Sequence, residues 1–523
     1  MFSWQRSGTL GMLCVLALIP HIVQGQPPTT STSALGINLS GPADWNTELP
    51  FVDVFRFSRE WISQAQGAAW GKGPKLELDE QGWIKRLEPN CFAETPMCTI
   101  EGGHYPSGEW TVSWQGSGDV ELSKGKVVSS APGKLVVDID SRTGGFFLRI
   151  RATDPADPVR NLRVLMPGYS AADAASNPWD RAFLKRWQGM ACIRFMDFQL
   201  TNNSEQVQWQ DRPTMEDATW TRRGVPVEVM CDLANRLKSD AWFCIPHAAD
   251  DEYVREFAKL VKEHLDPQRR VWIEYSNEVW NAQFQQHRYA AARGIEMQLA
   301  EKPWEAAWRF TAVRSLQIFA IWEEEFKSAA RLVRVLPSQS ANSYVSQQIA
   351  GWGEAGKHAD VLAIAPYISM NIPEEGAGLT SKKVEGWSVD QFLDHVDAHA
   401  LPECVGWMQE SRKVADRYGL KLVSYEAGQH FVGIGGAVNN EKLTALLRAA
   451  NRHPRLADIY AKYYAAWENN GGDLLCHFSS VSQWSKWGSW GLLQYADEEL
   501  DSIPKCKATM AWAQKLGQKV SLQ

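Results

Sequence analysis

The feature that most constrains the fold of this chain is a repeated alternation of short apolar segments with amphipathic ones. Beyond residue 168, apolar runs a few residues long alternate with longer stretches whose apolar residues recur at helical spacing. In residues 254–265, for example, Val254, Phe257 and Val261 share one helical face. Strands that alternate with helices in this way are typical of βα units with a parallel sheet. The pattern predicts an α/β fold.

The number of these units indicates how the sheet closes. The first strand is read at Asp53–Phe57, and seven more centre near residues 193, 243, 273, 334, 363, 423 and 476. Eight β/α units indicate a (β/α)8 TIM barrel, in which functional residues gather at the carboxyl ends of the strands.

Residues 71–166 interrupt this pattern. Short runs with alternating side chains, such as Trp110–Trp114, Leu135–Ile139 and Phe146–Ile150, are separated by Gly- and Pro-containing turns. They predict a small β-sandwich inserted after the first barrel strand. The barrel domain is then assigned to residues 35–70 and 167–523. The alternative is two unrelated domains preceded by a stray strand.

The amino terminus predicts export. Arg6 is followed by an apolar segment, Leu10–Ile19, that is too short to span a bilayer. A plausible cleavage site follows at Val23-Gln24-Gly25, so residues 1–25 are interpreted as a signal peptide and 26–34 as a flexible leader. The mature protein is expected to be secreted, either extracellular or periplasmic, with no membrane partner.

Charge and aromatic content narrow the class of ligand. The formal net charge is −7 and no long basic run is present, which argues against nucleic acid as a partner. The chain also contains 25 tryptophans, a residue suited both to large cores and to stacking against sugar rings. A neutral polysaccharide is compatible with both observations.

Nine cysteines are present, one of them in the predicted signal peptide. Cys91 and Cys98 lie seven residues apart in a segment that resembles a loop, and they are the best candidates for a disulfide. Cys192, Cys244 and Cys476 lie in apolar runs and are interpreted as buried thiols. No CxxC pair supports a zinc ribbon. Neither a metal nor a cofactor is expected.

Two glutamates follow two of the predicted strands. Val271–Asn281 reads VWIEYSNEVWN and places Glu278 at the end of strand four, and Lys421–Glu426 reads KLVSYE and places Glu426 at the end of strand seven. Strand ends four and seven can face each other across a barrel mouth. A pair of carboxyl groups facing one cavity is what glycosidic bond cleavage requires.

In this arrangement the sequence resembles clan A glycoside hydrolases, which are retaining enzymes on a TIM barrel, over residues 35–65 and 170–515. The resemblance implies that Glu278 is the acid/base and Glu426 the nucleophile. It also implies that Asn277 binds the sugar 2-hydroxyl. The substrate it implies is a β-linked polysaccharide or oligosaccharide, of β-glucan or β-mannan type, cleaved by double displacement.

Four further positions agree with the resemblance. The resemblance places Arg194, at the end of strand two, near the nucleophile. It implies that Tyr367, after strand six, touches the nucleophile. It places His247, after strand three, and Trp484, after strand eight, in the substrate site. Three of these predictions also have structural interpretations: an ion pair for Arg194, a helix cap for His247, and a loop core for Trp484 together with Trp487 and Trp490. Sugar stacking is favoured for at least one of these three tryptophans.

Two other functional classes are compatible with a barrel. One is a carbohydrate-binding protein that cleaves nothing, against which the two glutamates argue. The other is a different hydrolase, such as a serine esterase or a metallopeptidase. The sequence contains no HExxH motif and no GxSxG motif after a strand. The predicted sandwich fits either a carbohydrate-binding module or a wall of the cleft.

Overall fold

The computed structural model describes residues 33–521. The predicted signal peptide, residues 1–25, and most of the predicted leader lie outside the described residues. Within residues 33–521, none of the helices combines the length and the apolar character needed to cross a bilayer.

The first barrel strand, β1 (Ala34–Asn38), precedes the predicted one, so the assignment to Asp53–Phe57 was wrong. Val54–Phe57 forms a single turn of 3-10 helix. The side chain of Asp53 accepts a hydrogen bond from the Phe55 amide at 3.3 Å and caps this turn. An acidic cap competes with strand pairing, because it satisfies a backbone amide locally.

Between β1 and the second barrel strand lies an inserted β domain, as predicted. Two four-stranded antiparallel sheets, with orders β2-β5-β10-β7 and β11-β6-β9-β8, share one hydrophobic core. The eight strands of these sheets are β2 (Ile62–Ala65), β5 (Cys91–Met97), β6 (Gly108–Gln115), β7 (Gly118–Leu122), β8 (Lys126–Ala131), β9 (Lys134–Ile139), β10 (Phe146–Thr153) and β11 (Arg160–Leu165). A separate two-stranded sheet is formed by β3 (Glu77–Leu78) and β4 (Ile84–Arg86).

The predicted disulfide between Cys91 and Cys98 is not formed, and the eight cysteines of residues 33–521 are free. Cys91 begins strand β5 and Cys98 directly follows its end. An extended segment of this length separates its ends by about 23 Å. The two sulfur atoms therefore cannot meet, because a disulfide needs Cα atoms within about 7 Å. Cys192, Cys244 and Cys476 are buried, as predicted.

The other seven barrel strands agree with the predicted ones, and all eight are parallel in a closed barrel. They are β12 (Cys192–Arg194), β13 (Asp240–Ile245), β14 (Val271–Tyr275), β15 (Leu332–Pro337), β16 (Val361–Ile364), β18 (Lys421–Ser424) and β20 (Gly472–His477). Two additional strands, β17 (Ile368–Pro373) and β19 (Gln429–Ile434), form a short parallel sheet beyond the barrel mouth.

Gly36 allows the barrel to close. Strand β1 pairs with β12 on one side and with β20 on the other. A Cβ atom on Gly36 would lie 2.6 Å from the Cys476 sulfur and 2.9 Å from the Cys192 carbonyl oxygen. Any side chain at this position would push the neighbouring strands apart.

Helices surround the barrel and bury their apolar faces against it, as the 3.6-residue periodicity predicts. Helix α4 shows how this is built, since Asp250 caps its first turn and Val254, Phe257 and Val261 are buried. The helices are α1 (Ala171–Ser176), α2 (Arg181–Trp187), α3 (Val227–Leu237), α4 (Asp251–His264), α5 (Gln285–Glu296), α6 (Pro303–Phe326), α7 (Ser343–Gly351), α8 (Ala355–His358), α9 (Ser381–Val384), α10 (Val389–His395), α11 (Leu401–Tyr418), α12 (Glu441–Arg452), α13 (Arg455–Asn469) and α14 (Pro504–Lys515).

Candidate active site

The two predicted catalytic glutamates follow barrel strands directly. Glu278 is three residues beyond β14, and Glu426 is two residues beyond β18. The chain turns sharply after β14, with left-handed backbone angles at Ser276 (φ 57°) and Glu278 (φ 43°). Residues other than glycine adopt this conformation at an energetic cost, and such cost is concentrated at functional sites. The turn directs Glu278 toward the barrel mouth, where it contacts Tyr425 of the β18 end.

Glu278 has the environment of a proton donor. Its carboxyl accepts hydrogen bonds from the Tyr425 hydroxyl at 3.2 Å and from the Asn281 side-chain amide at 3.0 Å. Burial, together with the negative charge of Glu426, raises the pKa of Glu278 to about 7. A carboxyl group that keeps its proton near neutral pH can act as a general acid.

Glu426 is held by one cation and one hydroxyl. Arg194 Nη1 donates to Oε1 at 3.0 Å, and the Tyr367 hydroxyl donates to Oε2 at 2.9 Å. Only 6% of the residue is exposed. Each carboxylate oxygen therefore has a fixed donor, which orients the group as a nucleophile must be oriented. The structure brings the predicted Arg194 and Tyr367 to Glu426.

Arg194 is fully buried and all five of its N–H donors are engaged. Two bonds, at 3.0 and 3.1 Å, go to the carboxylate of Glu274. The others go to Glu426, Asn38 and Asn277, at 3.0, 3.1 and 2.8 Å. The guanidinium thus binds the predicted nucleophile to strands β1 and β14 and holds the predicted sugar-binding residue Asn277 beside Glu278.

Glu274 belongs to the same hydrogen-bonded group and was not predicted from the sequence. It is fully buried inside β14 and also accepts a hydrogen bond from the Trp242 indole at 2.8 Å. The available signal was an acidic residue within an otherwise apolar strand, VWIEY. Carboxylates are almost never fully buried without a partner, so a glutamate inside a buried strand predicts a nearby cation such as an arginine.

The structure places His247 and Trp484 differently from the other predicted site residues. His247 is buried, packs edge-on against Tyr289 at 5.3 Å and has no hydrogen bond to the carboxyl pair among the described residues. Burial lowers the pKa of His247. Trp484 is 1% exposed, and its ring is covered by Lys505 and Arg452, with cation-to-centroid distances of 4.5 and 4.7 Å.

Trp490, in the same loop as Trp484, contacts Tyr367, which binds Glu426. The centroid of its ring lies 5.8 Å from that of Tyr367 and 5.9 Å from that of Phe478, the residue directly after β20. Both tryptophans belong to the same loop, and sugar stacking by either of them stays a prediction. Which of its tryptophans faces the carboxyl pair depends on how the loop folds back, and Trp484 is drawn inward by its indole bond to the Gly491 carbonyl at 3.1 Å.

A cavity of about 470 Å³ adjoins this group. Trp490, Phe478 and Asp197 line it, together with Trp45 and Trp487 from two separate loops. Trp490 packs on Tyr367, which binds Glu426, and the charge of Glu426 acts on Asp197, so the cavity lies close to the predicted nucleophile. Among residues 33–521, no cluster of three or more His, Cys, Asp or Glu side chains has the arrangement of a metal site.

The pKa of Glu278 predicts how activity depends on pH. The protonated form must donate to the leaving group, and it predominates below the raised pKa of about 7. We expect kcat/KM to fall as the pH rises through about 7, as measured in pH profiles with a substrate whose leaving group is poor. A substrate with an activated leaving group should show a flatter profile. A profile that is unchanged by the leaving group would contradict the role of Glu278.

Comparisons with known proteins show resemblance at the level of three-dimensional structure only. No protein family matches the sequence. A search of curated proteins found no relative.

Solved structures that resemble the chain include three glycoside hydrolases. A 4-O-α-L-rhamnosyl-β-D-glucuronidase from Fusarium oxysporum is 10% identical, with a TM-score of 0.38; the match covers 63% of each chain, less than two thirds of that enzyme. A Cellulomonas fimi endo-β-1,4-mannanase of family 26 is 11% identical, with a TM-score of 0.34, and 67% and 66% are covered. A Bacteroidetes-affiliated GH5 cellulase is 9% identical, with a TM-score of 0.37, and 63% and 86% are covered.

At identities of 9–11% and TM-scores of 0.34–0.38, these matches do not assign the chain to a family.

Proposed function

We propose that this protein is a retaining glycoside hydrolase that cleaves a β-linked polysaccharide or oligosaccharide, of β-glucan or β-mannan type. The observation that carries the proposal is the contrast between two buried carboxyl groups at the mouth of one barrel. Burial and a neighbouring negative charge raise the pKa of Glu278 to about 7. Glu426 is bound by a guanidinium and a phenol. Two carboxyls in contrasting environments suit an acid and a nucleophile.

The chemistry follows from these roles. Glu278 gives its proton to the glycosidic oxygen as that bond breaks, and Glu426 attacks the anomeric carbon to form a glycosyl ester. Glu278, now ionised, takes a proton from a water molecule, which attacks the ester and releases the sugar with its configuration retained. Arg194 and Tyr367 keep Glu426 oriented throughout. Asn277, whose side chain is fixed by Arg194 and Asn202, is the residue proposed to bind the sugar 2-hydroxyl.

A polymeric substrate also fits the predicted signal peptide, and we infer that the enzyme acts after export. The alternative is a barrel that binds glycans without cleaving them. Binding alone requires neither the raised pKa of Glu278 nor the two donors that hold Glu426. Burying two carboxyl groups together costs desolvation free energy, and pairs with such perturbed pKa values are concentrated at catalytic sites.

Product analysis on a panel of β-glucans and β-mannans tests the proposal. We expect new reducing ends on at least one polymer, with the β-anomer formed first when the reaction is followed by NMR. Addition of a chelator should leave the rate unchanged. Binding without new reducing ends would identify a carbohydrate-binding protein instead, and the α-anomer as first product would exclude the retaining mechanism.

A further inference from the structure

The cavity beside Glu426 contains a carboxyl group that the proposed reaction does not use. Asp197 follows strand β12 and lines the cavity together with Trp45, Trp487 and Trp490. Its side-chain oxygens have no hydrogen bond or ion pair with any residue of the range 33–521. A carboxylate without a protein partner in a partly enclosed site leaves the compensation of its charge to a ligand.

The surrounding protein supplies no cation for Asp197. Arg194 is the nearest buried cation, and its five donors are already engaged by Glu274, Glu426, Asn38 and Asn277. The remaining described residues that line the cavity, from segments 40–47 and 479–490, include no lysine or arginine. Burial and the negative charge of Glu426 raise the pKa of Asp197 to about 7, against the opposing effect of Arg194. The ionised form of Asp197 is therefore disfavoured near neutral pH unless a cation lies beside it.

Tryptophans from separate loops surround this carboxyl group. Trp45 and Trp487 are 53% and 65% exposed, although Arg59 lies over the Trp45 ring at 5.4 Å and Lys486 lies over the Trp487 ring at 5.0 Å, so each ring has one face left for a ligand. Trp490 lies further in, against Tyr367. Indole faces stack against sugar rings, and they also attract cations through the negative face of the ring. Aromatic walls around one uncompensated carboxylate favour a ligand that is both a sugar and a cation.

We propose that this cavity binds an amino sugar, with the ammonium group of the sugar paired to Asp197 and its ring stacked on the tryptophans. The inference rests on the proposed function and narrows it: the substrate is a β-linked glycan that contains unacetylated amino sugar units, and the cavity holds one of them beside the nucleophile. The ammonium group supplies the charge compensation that Asp197 lacks within the protein.

Calorimetric titration measures this preference directly. The ligands are β-1,4-linked tetramers of glucosamine, N-acetylglucosamine and glucose, titrated in neutral buffer into Glu278→Gln, which should not turn them over. At this pH a bound ammonium group can draw Asp197 into its ionised form. We expect the glucosamine tetramer to bind at least about tenfold more tightly than the other two, the ratio typical of one charge-assisted hydrogen bond. In the double variant with Asp197→Asn, that ratio should fall to about one.

Two companion variants separate this effect from general damage. Glu252→Gln removes an exposed carboxyl from helix α4, outside the cavity, and should leave the affinity ratio unchanged. Trp487→Ala removes an exposed ring, so folding should be unaffected while all three ligands bind more weakly. Equal affinities for the three tetramers, or a ratio that survives Asp197→Asn, would overturn the inference.

The outcome is distinct from that of the proposed function. If the wild-type protein cleaves a neutral glycan through the glutamate pair and shows no preference for glucosamine, the amino sugar inference fails and the hydrolase proposal stands. If glucosamine oligomers bind through Asp197 but no glycan of any kind is cleaved, the hydrolase proposal fails.

Discussion

Replacement of Glu426 by alanine is expected to reduce kcat by roughly 10⁴-fold or more, the scale found when a hydrolase loses its nucleophile. Without this carboxylate no glycosyl ester forms. Azide can fill the vacated space and attack the anomeric carbon from the same side, so added azide should restore turnover and yield the inverted glycosyl azide. NMR of the product gives the configuration.

Glu278→Gln should lose activity for a different reason. Proton donation is worth about 10²- to 10⁴-fold, and substrates with a good leaving group need little of it in the first step. Azide should then react with the glycosyl ester without help from a base, giving a product of retained configuration. The opposite stereochemical pattern in the two variants would reverse the roles of the glutamates, and wild-type rates in both would remove them from the mechanism.

Glu274→Gln is expected to destabilise the fold by about 3–5 kcal/mol, the cost of breaking a buried ion pair from one side. Glu274 and Arg194 are both fully buried, and Gln can no longer balance the guanidinium charge. Glu426 would then be the only carboxylate bonded to Arg194, which makes it a weaker nucleophile. Urea unfolding gives the stability change, and kcat on a substrate with an activated leaving group gives the loss of nucleophilic attack.

A surface ion pair provides the control for this variant. Glu324 binds Arg255 at 3.0 Å but is 60% exposed, so Glu324→Gln should change the free energy of unfolding by less than about 0.5 kcal/mol. If Glu274→Gln were equally mild, the buried pair would contribute little to the barrel core.

Seven of the eight barrel strands were predicted from the sequence because each is an apolar run between helical segments. The first was not, since Asp53–Phe57 has the composition of a strand and yet is capped as a turn, while ALGIN is a five-residue segment with a glycine at its centre. A glycine by itself does not predict a strand. Gly36 is required there because Cys476 and Cys192 approach it closely from strands that are distant in sequence.

The predicted disulfide failed for a related reason. The spacing of Cys91 and Cys98 suits a loop, but the segment between them pairs with strands β2 and β10 and is held extended. Pairing partners 26 to 57 residues away therefore decided the distance between the two sulfur atoms.

By itself, the sequence determined the βα alternation, the place of the inserted domain, and the two glutamates at the ends of strands four and seven, because each depends on local periodicity and on residues within a few positions. Only the tertiary structure decided that Arg194 joins Glu274 to Glu426, that Trp490 rather than Trp484 faces Tyr367, and that Asp197 stands unpaired in the cavity. These relations join residues up to 232 positions apart, and burial and charge compensation arise only when the barrel closes.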